Sequence, residues 1–180
     1  PIMVHANEVR QIKTAVAWAK RRKLKIVLAA SRDAWQVADL LAKEKVPVIF
    51  DNVFTLPQRD TDPHDIHFRA AGILHKAGVK IAHSEPMGSW GASRVRNIVY
   101  AAGKSMAYGL PRETALRSLT LHPAQMLGVA DRLGSLTPKK EATFIAVNGD
   151  IFDIRANVKH MWIAGKKIRL QSRHTRLYEK

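Results

Sequence analysis

The sequence predicts an α/β fold around a parallel sheet, and three observations carry that prediction. Four short β-like runs, at residues 2–6, 25–30, 46–51 and 79–84, are spread along the first half of the chain. The segments after the first two runs each hold a single apolar stripe with residues three or four apart, the period of a helix. Strands joined through a helix cannot form hairpins, so they come out parallel, as right-handed βαβ units. From Gly134 onward the character changes to short strands and tight turns.

Taken in order, the first strand covers residues 2–6. The stripe Val9, Ile12, Val16 and Ala19 makes the first helix. Residues 25–30 return as the second strand. Ala34, Val37, Ala38 and Leu41 then form the second stripe, with Asp33 placed to cap it. The third strand ends at Asp51 and runs into the polar, proline-punctuated segment 52–67, a surface loop at the C-terminal end of a parallel strand. That end is where α/β folds place their sites. A helix is expected over residues 66–76, stopped by Ala77-Gly78 before the fourth strand. After a Gly, Pro and Ser loop at 85–93, helices are expected over 94–108 and 111–121, with Pro111 in a favourable first-turn position. His122-Pro123 interrupts, and 124–127 gives one more turn. Residues 144–147 and 158–163, with a turn at Asn148-Gly149-Asp150, read as hairpin strands. The basic tail 172–180 reads as peripheral.

Composition narrows the function. The 180 residues are 46% hydrophobic and 25% charged, a globular balance. No window approaches a membrane span. The absence of cysteine excludes a disulfide framework, a Cys-zinc site and a Cys nucleophile. The net charge of +15 includes local runs at Lys20-Arg-Arg-Lys23 and Lys166-Lys-Ile-Arg169. The four Trp lie in apolar periodic stretches and not beside those runs, so sequence-specific nucleic-acid binding is not expected. No signal segment opens the sequence. The cytoplasm is therefore the default compartment, and the periplasm or secretion the alternative where a leader has been removed.

Three segments near the C-terminus have specific wording. They are Thr114-Ala-Leu-Arg-Ser-Leu-Thr-Leu-His-Pro-Ala-Gln-Met-Leu-Gly-Val, Asp131-Arg-Leu-Gly-Ser-Leu-Thr-Pro-Lys-Lys-Glu-Ala-Thr-Phe-Ile-Ala-Val and Val158-Lys-His-Met-Trp-Ile-Ala-Gly-Lys. In order and spacing they resemble the closing segment of the amidohydrolase superfamily, in particular its imidazolonepropionase-like branch. Two positions depart from that pattern, with Lys139 in place of a Gly and Thr143 in place of an Asp. The resemblance implies the C-terminal half of a (β/α)8 TIM barrel, strands five to eight, in residues 1–130. It implies C-terminal strands of a composite β sandwich in 131–170, with 171–180 as a basic tail. The His-x-His of the family's first barrel strand has no counterpart here.

The resemblance also assigns the candidate site. His5, ending the first strand, matches a metal-binding His, and the implied cofactor is a divalent ion, zinc first. The family's strand-eight Asp, which takes the proton of the attacking water, is missing from Ile81-Ala-His-Ser-Glu-Pro-Met-Gly. Glu85 or His83 stands in for it, or both are polar loop residues. Asp51 orients a ligand or caps its loop. Arg94 and Arg96 either bind a substrate carboxylate or start a solvated helix. Ser31 offers no imidazole at the sixth barrel strand, and the cluster Asp62, His64, Asp65 and His67 has no family counterpart. His122, where the family usually has Asn, is expected to be structural. With one candidate ligand His and a doubtful carboxylate, the chain alone is not expected to hold metal or to hydrolyse anything. Two functions follow. One is the C-terminal portion of a metal-dependent enzyme hydrolysing a C–N bond of an amide or cyclic amide, completed by an N-terminal half-barrel. The other is a catalytically degenerate subunit with a structural or interaction role in a larger assembly.

Overall fold

The computed structural model describes residues 1–179. The four expected strands form one parallel sheet in sequential order: β1 (Ile2–His5), β2 (Ile26–Ala29), β3 (Val48–Phe50) and β4 (Ile81–His83). Between them run α1 (Val9–Arg22), a 3₁₀ turn (Ala34–Val37) leading into α2 (Ala38–Lys43), and α3 (Ile66–Lys76). Gln11 starts α1 by accepting the backbone N–H groups of Asn7 and Glu8 at 3.0 and 3.2 Å. Lys23, in the left-handed region at φ 54°, ends it. The stripe Ile12, Val16 and Ala19 is buried against the sheet. The segment expected as one helix over 94–108 is broken into α4 (Ser89–Arg94), a 3₁₀ turn and α5 (Ile98–Ala107). Then follow α6 (Arg112–Leu119) and α7 (Leu121–Leu127). Pro123 lies within the first turn of α7, where its missing N–H costs no helical bond, so it does not interrupt the helix.

Register separates the two faces of the sheet. Met3 pairs with Val27, His5 with Ala29, Ala29 with Ile49 and Ile49 with Ala82, so all six share one face. Leu28, Val48, Phe50, Ile81 and His83 share the other, beneath the helices. The main core lies there: Ile12, Leu28, Leu41, Val48 and Leu74 have no measurable exposure. Each such side chain contributes about 1.5–3 kcal/mol by leaving water. On the first face Val27 and Ala82 pack with Ile49 and with Met126 of α7.

The two outer strands end differently. Ile2 and Ala6 donate their N–H groups to β2, which leaves the backbone groups of Met3 and His5 pointing away from the sheet. On β4, Lys80 and Ser84 bond to β3, so Ile81 points outward. Its carbonyl accepts a hydrogen bond from His122 Nδ1 at 2.8 Å, which gives His122 the structural role expected of it.

The C-terminal strands β5 (Phe144–Val147), β6 (Val158–Ile163) and β7 (Lys166–Ile168) form an antiparallel sheet. The third strand and a short helix α8 (Arg173–Tyr178) go beyond the sequence reading. Phe144 stacks on Trp162 at 4.6 Å, and Phe152, in the β5–β6 connection, packs against the main core. Thr143 accepts the Ala164 N–H at 2.9 Å, and Lys139 takes a left-handed φ of 74°. Gly134, at φ +89°, has Ala124 Cβ 2.7 Å and Thr120 O 2.9 Å from where a Cβ would stand. Gly134→Ala is therefore expected to cost about 2 kcal/mol, part strain and part overpacking. A urea midpoint equal to that of the unaltered protein would show that this turn yields freely. Among the described residues no helix is long and apolar enough to cross a membrane.

Candidate active site

Strand alternation selects the residues that meet at the C-terminal end of the parallel sheet. His5 closes β1 on the face of Ala29 and Ile49. Asp51, one residue past β3, continues that face from Ile49, and Ser84 continues it from Ala82. Glu85 follows at the start of the β4–α4 loop. His5 is exposed, and Asp51 and Glu85 are half-buried as residues. Burial pushes the Asp51 carboxyl above its ordinary value, while its backbone hydrogen bond, the nearby His5 charge and the Asn52 side chain pull it down. Asn52 Nδ2 donates to Asp51 Oδ1 at 2.5 Å.

The Glu85 side chain is only 5% exposed, and its Oε2 has no hydrogen-bond partner. Burial raises its carboxyl, Arg94 opposes the shift, and the Asp51 charge adds to it. Arg94 Nε approaches Oε2 at 3.5 Å, an ion pair without hydrogen-bond geometry. The helix carrying Arg94 lies close to this loop because residue 91 is glycine. A Cβ there would stand 1.6 Å from Pro86 O. Gly91→Ala must therefore displace the Glu85 loop, and turnover in an active form of the protein is expected to fall about 100-fold, the scale of a misplaced catalytic group. Unchanged turnover would remove Glu85 from the site. Arg96 does not join the cluster; it is exposed, and its Nε donates to Ser93 O at 3.2 Å.

His83 lies elsewhere than the acid/base expectation requires. It pairs in register with Phe50, on the helix-facing side, and is 5% exposed. Its Nδ1 lies 2.7 Å from Ser118 Oγ and its Nε2 3.0 Å from Ser105 Oγ, so both ring nitrogens are engaged in the core. Burial lowers its pKa to about 4. The period of two decides this, since His83 and Ser84 face opposite ways. The cap expected from Asp33 is also absent. Its carboxylate, 2% exposed, is instead gripped by the Arg59 guanidinium, which also reaches Asp62 at 3.2 Å. That pair ties the 52–65 loop to the end of β2. Asp65 pairs with Arg69, and the buried His67 ring meets Thr55, so Asp62, Asp65 and His67 are taken up in local contacts, while His64 is exposed.

A model of the amidohydrolase family matches residues 38–168, nearly three quarters of the chain. The chain belongs to the amidohydrolase family. Among the relatives of this amidohydrolase chain, the amidohydrolase tasK of Hapsidospora irregularis is 34% identical over 70 residues, 39% of the chain and 7% of that protein. The N-acetylgalactosamine-6-phosphate deacetylase of Escherichia coli O157:H7 is 38% identical over 72 residues, 40% of the chain and 16% of that protein. The solved amidohydrolase from Thermotoga maritima MSB8 superposes with a TM-score of 0.80 at 28% identity, covering 94% of this chain and 43% of that one. The chain thus spans less than half the length of the Thermotoga protein.

Amidohydrolase-superfamily members typically bind divalent metals. Among the described residues of this chain no group of three or more His, Asp or Glu side chains is disposed to hold one. His5 offers a single imidazole, Asp51 is bonded to Asn52, and Glu85 faces a guanidinium. These donors do not by themselves fit a divalent ion, which generally takes three protein ligands in a catalytic site. Sequence reasoning missed Ser84 and the Asp33–Arg59 pair. Strict alternation along Ile81-Ala-His-Ser would have found the first, whereas nothing in the sequence spacing marks a pair 26 residues apart.

Proposed function

We propose that this chain forms the C-terminal half, strands five to eight, of a (β/α)8 barrel that hydrolyses a C–N bond of an amide or cyclic amide. The carrying observation is the meeting of His5, Asp51 and Glu85 at the C-terminal ends of the parallel strands, with the Glu85 side chain buried and its Oε2 accepting no hydrogen bond. Sequential parallel strand order and the Thermotoga superposition support the half-barrel. Deacetylase and amidohydrolase relatives support the bond type. Glu85 takes a proton from the attacking water as its oxygen bonds to the carbonyl carbon. It returns that proton to the leaving nitrogen as the C–N bond breaks, giving a carboxylic acid and an amine. Asp51 hydrogen-bonds the substrate or the adding water, and Arg94 tunes Glu85. Arg96, exposed at the rim, is assigned no more than attraction of an anionic substrate. The remaining groups, divalent-ion ligands included, come from the complementary half-barrel, and the chain alone is inactive. The imidazolonepropionase-like branch serves as the model for the substrate.

A chimera tests this. The part of the Thermotoga maritima amidohydrolase that this chain does not cover is fused ahead of residues 1–180 and offered a panel of amides and cyclic amides. Turnover by the chimera and none by the chain alone is expected. Turnover by the purified chain that disappears in His5→Ala would overturn the need for a second half. A folded chimera with no turnover would instead favour a degenerate subunit with an interaction role, a reading that the missing strand-eight Asp and the net charge of +15 support.

A further inference from the structure

We propose that a cavity beside the N-terminal end of β4, walled by α3, α6 and α7, binds a phosphate dianion, either free or carried by a small phosphomonoester. The cavity lies at the opposite end of the sheet from His5, Asp51 and Glu85, and all of its walls come from this chain, so it stands apart from the hydrolase reading.

The cavity holds about 350 Å³, room for a phosphate with a small organic group. Four basic side chains line it. His75 comes from the last turn of α3, Lys80 from the residue before β4, Arg117 from α6 and His122 from α7. Thr114 adds a hydroxyl, and among the described residues Glu113 is the one carboxylate on the lining. Glu113 accepts from Arg117 Nη2 at 2.5 Å, but their side chains are 73% and 52% exposed, so the pair holds Arg117 only weakly. Among the described residues His75 and Lys80 have no ion-pair or hydrogen-bond partner. Positive charge is therefore left over. The His122 ring is set by its Nδ1, which donates to the Ile81 carbonyl at 2.8 Å, so Nε2 is the nitrogen left for a ligand. That nitrogen accepts from a P–OH group, or donates once protonated. Burial lowers the His122 pKa, and the charges of Lys80, Arg117 and His75 lower it further. A dianion among these groups offsets their repulsion and takes charge-assisted hydrogen bonds from the ammonium and the guanidinium. Two fixed cations and two imidazoles suit such a group better than a monocarboxylate.

Calorimetric titration of the 180-residue chain at about 150 mM salt tests this, with inorganic phosphate, glycerol 3-phosphate and acetate as the probes. At least one of the two phosphates is expected to saturate a single site by about 10 mM, with acetate at least about 10-fold weaker. Tighter binding of the ester would make a phosphomonoester the ligand, and tighter binding of inorganic phosphate the free ion. Lys80→Gln/Arg117→Gln is expected to weaken binding at least about 10-fold. Lys166→Gln/Lys167→Gln, in the exposed basic run of β7, is expected to leave it unchanged. Glu113→Gln removes the opposing carboxylate and is expected to tighten binding about 3-fold, a gain that a folding defect cannot imitate. The absence of a saturable site, acetate matching both phosphates, or equal weakening by the two double variants would overturn the proposal. So would a DNA duplex of about 20 base pairs binding at lower concentration with the same dependence on Lys80 and Arg117, since the cations would then serve a nucleic-acid backbone.

Discussion

Glu85→Gln is expected to lower turnover of the completed barrel by about 1000-fold, the scale of a lost general acid/base. Gln keeps the shape of the side chain and its packing but cannot carry a proton. Binding and stability are therefore expected to change little beside kcat. The pH profile is the sharper readout. A carboxylate acting as base works only when ionised, so kcat/KM should rise with pH through the Glu85 pKa. Burial has moved that pKa above the ordinary carboxylate value. The acid limb should accordingly lie above the range of a solvent-exposed Glu, and it should vanish in Glu85→Gln. Arg94→Ala removes the one opposing cation and should move the limb further up. An acid limb unchanged in Glu85→Gln would assign the proton transfer to another group, with Asp51 the next to test.

The second large effect concerns stability. His83 is held neutral in the core, with its pKa down at about 4, against an ordinary value near 6.5. The unfolded chain binds a proton there more readily than the folded one. Its contribution is thus complete above about pH 6.5, is lost progressively as pH falls, and stops changing below about pH 4. The loss amounts to about 3 kcal/mol across that window. His122, also lowered by burial, acts in the same direction, whereas Asp51 and Glu85, both raised, act against it. The informative quantity is therefore the difference between the unaltered protein and His83→Gln. Urea unfolding at pH 7.5 and pH 4.0 should show a steeper fall for the unaltered protein by that amount. Equal slopes would mean that the ring is accessible to protons in the folded state.

Most of the α/β organisation is legible in the sequence because burial imposes period. The stripe through Ile12, Val16 and Ala19 and the helix at Ile66–Lys76 follow directly from apolar spacing. The break between α4 and α5 does not, since the 3₁₀ turn at Val95–Asn97 that makes it buries no residue and leaves no apolar mark. The third C-terminal strand is likewise hidden, because Lys166–Ile168 is exposed throughout and carries no apolar signal. At the site, His5, Asp51 and Glu85 are recognisable as polar residues at strand ends. That His83 turns to the helices follows from the period of two, whereas Glu85 lies past the strand in a loop, where no period places it. The partner of Asp33 is out of reach of any local pattern, as Arg59 arrives from a loop that spacing leaves unstructured.

The imidazole on the Ile81 carbonyl also ties the last helix of the α/β part to the sheet. Ile81, Ala82 and His83 lie buried beneath α6 and α7, so β4 cannot shed those helices and keep its own shelter from water. Amide exchange in α7 and in β4 is therefore expected to be one event, and β1, which no such helix covers, is expected to open independently of them.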